Sequence, residues 1–156
     1  MKLLLIEDDE NKRERLLEFL RDTLGVVDVR TAASYHSAIG EITNELPQVI
    51  LLDMTIPWFD IGPDENGGAS ELFGGEEVLE HMDRKGVVVP TIVVTQFDRF
   101  GEGSGTKTLD ELDRFMKRTY PLCYRGAVYY NAAQEDWKAR LTEELKSIIQ
   151  EDAGNP

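Results

Sequence analysis

Four aliphatic residues in a row, Val49-Ile50-Leu51-Leu52, end in a single carboxylate, Asp53, and Pro57 closes the segment four residues later. So short an apolar run, bounded by turn formers, reads as a strand buried on both faces, as in a sheet with helices on either side. The same design occurs at the start of the chain, where Leu3-Leu4-Leu5-Ile6 runs into Glu7-Asp8-Asp9-Glu10. If the two strands are parallel neighbours, Asp8, Asp9 and Asp53 meet at the carboxyl edge of the sheet, where open α/β sheets bind their ligands. Carboxylates held so close repel one another, and the cluster therefore suggests a hard divalent cation with oxygen ligands.

The intervening sequence alternates helix and strand periods. Residues 10–24 carry Leu16, Leu17, Phe19, Leu20 and Leu24 at helical spacing, and Gly25 stops the pattern. A short strand is expected at 26–30. Ser34 can cap a second helix with Ala38, Ile39 and Ile42 on its inner face, ending before Pro47. A third helix starts near Gly74, and a fourth strand is expected over 87–95. Residues 109–119 form a helix with Thr108 as its cap, 126–130 a fifth strand, and 134–150 a last helix with Trp137, Leu141, Leu145 and Ile148 on one stripe. Five strands alternating with five helices define an α/β parallel sheet covered on both faces. Two connections are long for this class, 58–73 and 96–108. The segment 151–156 reads as a disordered tail.

A chain of 156 residues is expected to form one domain over 1–150. Thirty acidic against 17 basic residues leave a net charge of −13, which opposes a nucleic-acid or anionic-membrane partner. The lone Cys123 rules out a disulfide within the chain and fits a reducing compartment. With Met1 leading straight into a strand and no apolar run of membrane length, a cytoplasmic location is expected.

The segments LLIEDDE (4–10), LLDMTIP (51–57) and IVVTQ (92–96) together resemble the receiver domains of two-component response regulators. The resemblance runs from Lys2 to about Ile149. It implies a flavodoxin-like (βα)5 fold of strand order 2-1-3-4-5, and since nothing follows the fifth helix no attached output domain is expected. It also implies Mg²⁺ held by Asp8, Asp9, Asp53 and the backbone carbonyl of Thr55. Asp53 would be the phosphoacceptor and Thr95 the hydroxyl that turns toward the phosphoryl group. The donor would be a histidine kinase or phosphotransfer protein, and the output a protein effector bound in trans; the chain would be no enzyme. A homodimer through the face of the fourth and fifth helices is left open.

The chain departs from the family at the end of the fifth strand, where a lysine is usual and Asn131-Ala132 align. An amide donates a hydrogen bond but supplies no charge. Arg99 and Lys107 are the basic residues that the sequence suggests near the site. Two rival functions follow: a degenerate receiver acting as a phosphorylation-independent interaction module, and a Mg²⁺-dependent phosphate-ester hydrolase. Residues 101–108, GEGSGTKT, fall short of a phosphate-binding loop because Thr106 stands where glycine must precede the lysine. His36 and His81 have no second ligand at metal spacing. Trp58 and Phe59, just past the Asp53 turn, form either a small satellite core or a docking patch.

Overall fold

The computed structural model describes residues 1–61, 74–96, 99–100 and 107–154. Its elements in chain order are β1 (Lys2–Ile6), α1 (Glu10–Glu18), β2 (Asp28–Ala32), α2 (Tyr35–Asn44), β3 (Val49–Leu52), α3 (Gly74–Lys85), β4 (Thr91–Thr95), β5 (Arg99–Phe100), β6 (Lys107–Thr108), α4 (Leu109–Thr119), β7 (Tyr124–Tyr129) and α5 (Asp136–Gly154). The main sheet has the order β2-β1-β3-β4-β7, with every neighbouring pair parallel. Counting only its own five strands, this is the expected 2-1-3-4-5.

Strand alternation divides the core into two layers. Leu4, Ile6, Ile50, Leu52 and Val93 face the side covered by α2, α3 and α4. Leu3, Leu5, Val49, Leu51, Ile92, Val94 and Val128 face the side where Leu16 and Leu20 of the first helical segment and Trp137, Leu141 and Leu145 of α5 pack. Each fully buried aliphatic side chain contributes about 1.5–3 kcal/mol relative to exposure. The alternation places Glu7, next after Ile6, and Asp53, next after Leu52, toward the α1 side of the sheet. Both residues stay in the ladder: the Glu7 N–H donates to Ala32 O (2.9 Å) and the Asp53 N–H to Ile6 O (3.0 Å).

Several boundaries differ from those expected. After Glu18 the first helix continues as a π-helical turn, Phe19–Thr23, before Gly25 with φ 69° ends it. The second strand begins at Asp28 rather than 26, because the Val26 N–H bonds back to Leu20 O at the helix end and Val26 is buried there. The fourth begins at Thr91 rather than 87: the Val87 N–H closes the end of α3 on Met82 O, and Pro90 has no N–H to give. The fifth strand of the sheet starts two residues early, at Tyr124. Helix α5 extends through Gly154, into the segment expected to be a disordered tail. The connection 96–108 contains the antiparallel pair β5 and β6 where an irregular loop was expected. Residues 62–73 of the connection 58–73, and 101–106 of the glycine-rich segment, lie outside the described residues.

Candidate functional site

The carboxyl ends of β1 and β3 bring three acids together: carboxylate oxygens of Glu7, Asp8 and Asp53 lie within 4.8 Å of one another. Glu7 and Asp53 are buried, 1% and 4% exposed, while Asp8 is half-buried at the mouth. Burial, and then the Asp53 charge, push both the Glu7 and the Asp8 carboxyl above the ordinary carboxylate range. Lys12 draws the Glu7 carboxyl partly back.

Asp9, expected as a metal ligand, stands outside this three-acid cluster. It is exposed and stands at the N-cap of α1, where its Oδ1 accepts from the Lys12 N–H (3.2 Å). Its own N–H donates to Glu7 Oε1 (3.0 Å). The acid pair that the fold sets beside Asp53 is thus Glu7 with Asp8, one residue earlier than expected. Asp53 Oδ2 accepts from the Thr55 hydroxyl (3.2 Å). Asp53 Oδ1 is buried and has no hydrogen-bond partner among the described residues. Buried carboxylate oxygens are ordinarily hydrogen-bonded, so this one retains the capacity to accept a partner. The donor set is all oxygen, as a hard divalent cation requires.

Thr95 ends β4 fully buried, and its carbonyl accepts from the Tyr130 N–H (2.7 Å). Asn131, expected in place of the usual lysine, is turned into the connection to α5: its Oδ1 accepts from the Ala133 N–H (2.9 Å) and its carbonyl from the Gln134 N–H (3.1 Å). Tyr130 is the buried residue on the α1 side at this strand end, its ring 5.1 Å from that of Trp137.

Among the described residues, the cation of the site is Lys12. Its Nζ lies 2.5 Å from Glu7 Oε2 and 3.4 Å from Asp53 Oδ1, and donates to Val94 O (2.7 Å). Asp9 caps the helix three residues before Lys12, and side chains of a helix lean toward its N-terminus, so a lysine in the first turn reaches back over the acids. Lys12 precedes Leu16 by four residues and therefore sits on the apolar stripe of α1. A charge on that stripe was the sequence signal for it. The side chain of Lys107 lies outside the described residues.

The rest of the rim is built by backbone packing. The N–H groups of Tyr35 and His36, which open α2, donate to Pro57 O and Trp58 O (both 2.9 Å). Trp58 packs edge-on against Tyr35 at 5.0 Å, while Phe59, beside His36, remains 67% exposed.

No family model matches the sequence. Among curated proteins, the chain is 31% identical over 150 residues to the Detocs response regulatory protein DtcB of Enterobacter cloacae, covering 95% of this chain and all of that one. The chain belongs to the response-regulator receiver family. The receiver is also 33% identical over 151 residues to an uncharacterised protein, y4jR, of Sinorhizobium fredii, across 95% of this chain and 99% of the other. Solved structures share the receiver fold at low identity. A response regulator receiver protein from Pseudoalteromonas atlantica matches with TM-score 0.66 and 14% identity, over 97% of this chain and 99% of that one. A CheY-like receiver from Methanospirillum hungatei matches with TM-score 0.62 and 16% identity, over 99% and 98%. No helix among the described residues is long and apolar enough to cross a membrane.

Proposed function

We propose that this receiver accepts a phosphoryl group on Asp53 from a phosphohistidine donor, a histidine kinase or phosphotransfer protein, and signals by binding a protein effector in trans. The observation that carries this reading is the unfilled Oδ1 of a buried Asp53, set between two further acids at the carboxyl edge of the sheet. In the transfer, an Asp53 oxygen forms a bond to phosphorus as the phosphorus–nitrogen bond of the donor breaks. The electron pair stays on the imidazole nitrogen, which takes a proton from solvent.

Glu7, Asp8 and Asp53, with the Thr55 carbonyl, would hold Mg²⁺, and the ion would neutralise charge on the phosphoryl oxygens. When a cation draws all three carboxylates into their ionised form, the Lys12 ammonium leaves two negative charges, the complement of one divalent ion. Lys12, with its ammonium 3.4 Å from Asp53 Oδ1, stands where it can meet charge added to that oxygen. In this reading the protein is a substrate of its donor rather than an enzyme, and works in the cytoplasm.

With acetyl phosphate and Mg²⁺, the intact mass should rise by one phosphoryl group that hydroxylamine removes, and Asp53→Asn should take up none. An unchanged wild-type mass would leave the interaction module as the better account. Steady release of phosphate from a diffusible ester would favour the hydrolase.

A further inference from the structure

Lys12 occupies a place where α1 should carry an aliphatic side chain, and it is 2% exposed. An ammonium buried to that degree persists only with close counter-charge and hydrogen-bond acceptors. Of the surroundings of its three N–H donors, Glu7 Oε2 and Val94 O are close acceptors and Asp53 Oδ1 is a third, more distant contact. The first two contacts are short. The third, at 3.4 Å, is a charge contact that leaves Asp53 Oδ1 without a hydrogen bond. The end of β7 is closed to a second cation from the same side, because the buried Tyr130 ring lies there with its centroid 5.7 Å from the ammonium. Asn131 is engaged within its own turn.

We propose, resting on the function above, that Lys12 is the phosphoryl-binding cation of this receiver, delivered from helix α1 rather than from the end of β7. The third N–H, which neither Glu7 nor Val94 takes, is the one to turn onto a phosphoryl oxygen added at Asp53 Oδ1. The charge that a strand-borne lysine would supply is thus present, on a different tether.

The tether decides where the phosphoryl group is felt. Lys12 hangs from the first turn of α1 and bonds Val94 O, one residue before Thr95. A shift of the ammonium toward the phosphoryl group is therefore transmitted to the start of α1 and the end of β4. The turn at 131–134 has no bond to the ammonium; its tie to α1 is the exposed Arg15 guanidinium donating to Ala132 O (3.1 Å), so it responds less.

Beryllofluoride, a non-covalent phosphoryl mimic, tests this on the full chain with Mg²⁺ saturating throughout. In the wild type, adding beryllofluoride to the Mg²⁺ form should move the amide resonances of 10–13 and 94–95 more than those of 131–134. Lys12→Met should still bind Mg²⁺ but lose beryllofluoride affinity by about ten- to hundredfold, the range of a charge-assisted hydrogen bond. Combining Lys12→Met with Tyr130→Lys should restore part of the affinity and move the response to 131–134. The double variant keeps an ammonium among the acids, so it carries the test even if Lys12→Met alone does not fold. Wild-type affinity in Lys12→Met, or a response of the double variant that stays on α1, would overturn the proposal. A wild type that binds Mg²⁺ yet neither beryllofluoride nor a phosphoryl group would overturn the underlying function, and this assignment with it. Phosphorylation and beryllofluoride binding retained in full by Lys12→Met would overturn the lysine assignment alone.

Discussion

Asp8 and Asp9 are adjacent in sequence, and the fold uses them for different purposes. Asp8 shares the cluster with Glu7 and Asp53, whereas Asp9 satisfies a backbone N–H at the start of α1. Asp8→Asn should therefore abolish the stabilisation that millimolar Mg²⁺ gives in thermal melts. Asp9→Ala should keep that response while lowering stability by about 1 kcal/mol, the worth of an N-cap. Loss of the Mg²⁺ response in Asp9→Ala would return Asp9 to the metal site. The sequence showed that acids follow β1, but four of them stand in a row from Glu7 to Glu10. Which one ends the strand is fixed by the ladder bond of the Glu7 N–H to Ala32 O, a contact across 25 residues that no local pattern encodes. Lys12 was legible in principle, as a charge on an apolar stripe. Such a residue ordinarily snorkels to water, and only tertiary structure shows that its head goes inward.

At the scale of elements, the start of α3 holds the Asp53 turn in place. A Cβ on Gly75 would lie 2.4 Å from Asp53 O and 2.6 Å from Met54 Cα, backbone atoms that cannot rotate away. The Gly75 N–H also donates to Met54 O (3.1 Å). Gly75→Ala should cost about 1–3 kcal/mol by overpacking and weaken Mg²⁺ binding, because the displaced segment carries Asp53. Gly40→Ala is the contrast: it lies in α2 with nothing within 4 Å of an added Cβ, and should stabilise by up to about 1 kcal/mol. Urea denaturation of both variants checks the pair, and equal effects would contradict the packing at Gly75. The main elements were readable because their periods were strong, as in the inward stripe of α5. The pairing of β5 with β6 was not, since two residues on each side of a glycine-rich segment carry no period.

At the scale of the whole molecule, the acidic cluster links stability to pH. Glu7 and Asp8 hold their protons more tightly in the folded chain than in the unfolded one. Above the ordinary carboxylate range the native state therefore binds more protons than the unfolded state, and unfolding free energy falls as pH rises. The net charge of −13 acts in the same direction. Without divalent ions the melting temperature should drop between about pH 5 and about pH 8, and Mg²⁺ should flatten or reverse that slope by favouring the ionised acids. Thermal melts with chelator and with Mg²⁺ across this range give the comparison, and a metal-free protein that gains stability with pH would contradict the cluster's electrostatics.

The central claim is that the phosphoryl group lands on Asp53. The most direct measurement is reduction of the phosphodonor-treated protein with borohydride, followed by peptide mapping by mass spectrometry. Borohydride converts the acyl phosphate of an aspartate to homoserine and leaves free carboxylates unchanged. The account predicts homoserine at position 53 alone, dependent on Mg²⁺ and absent without phosphodonor. Homoserine at position 8 or elsewhere, or a phosphorylated protein that yields none, would contradict it.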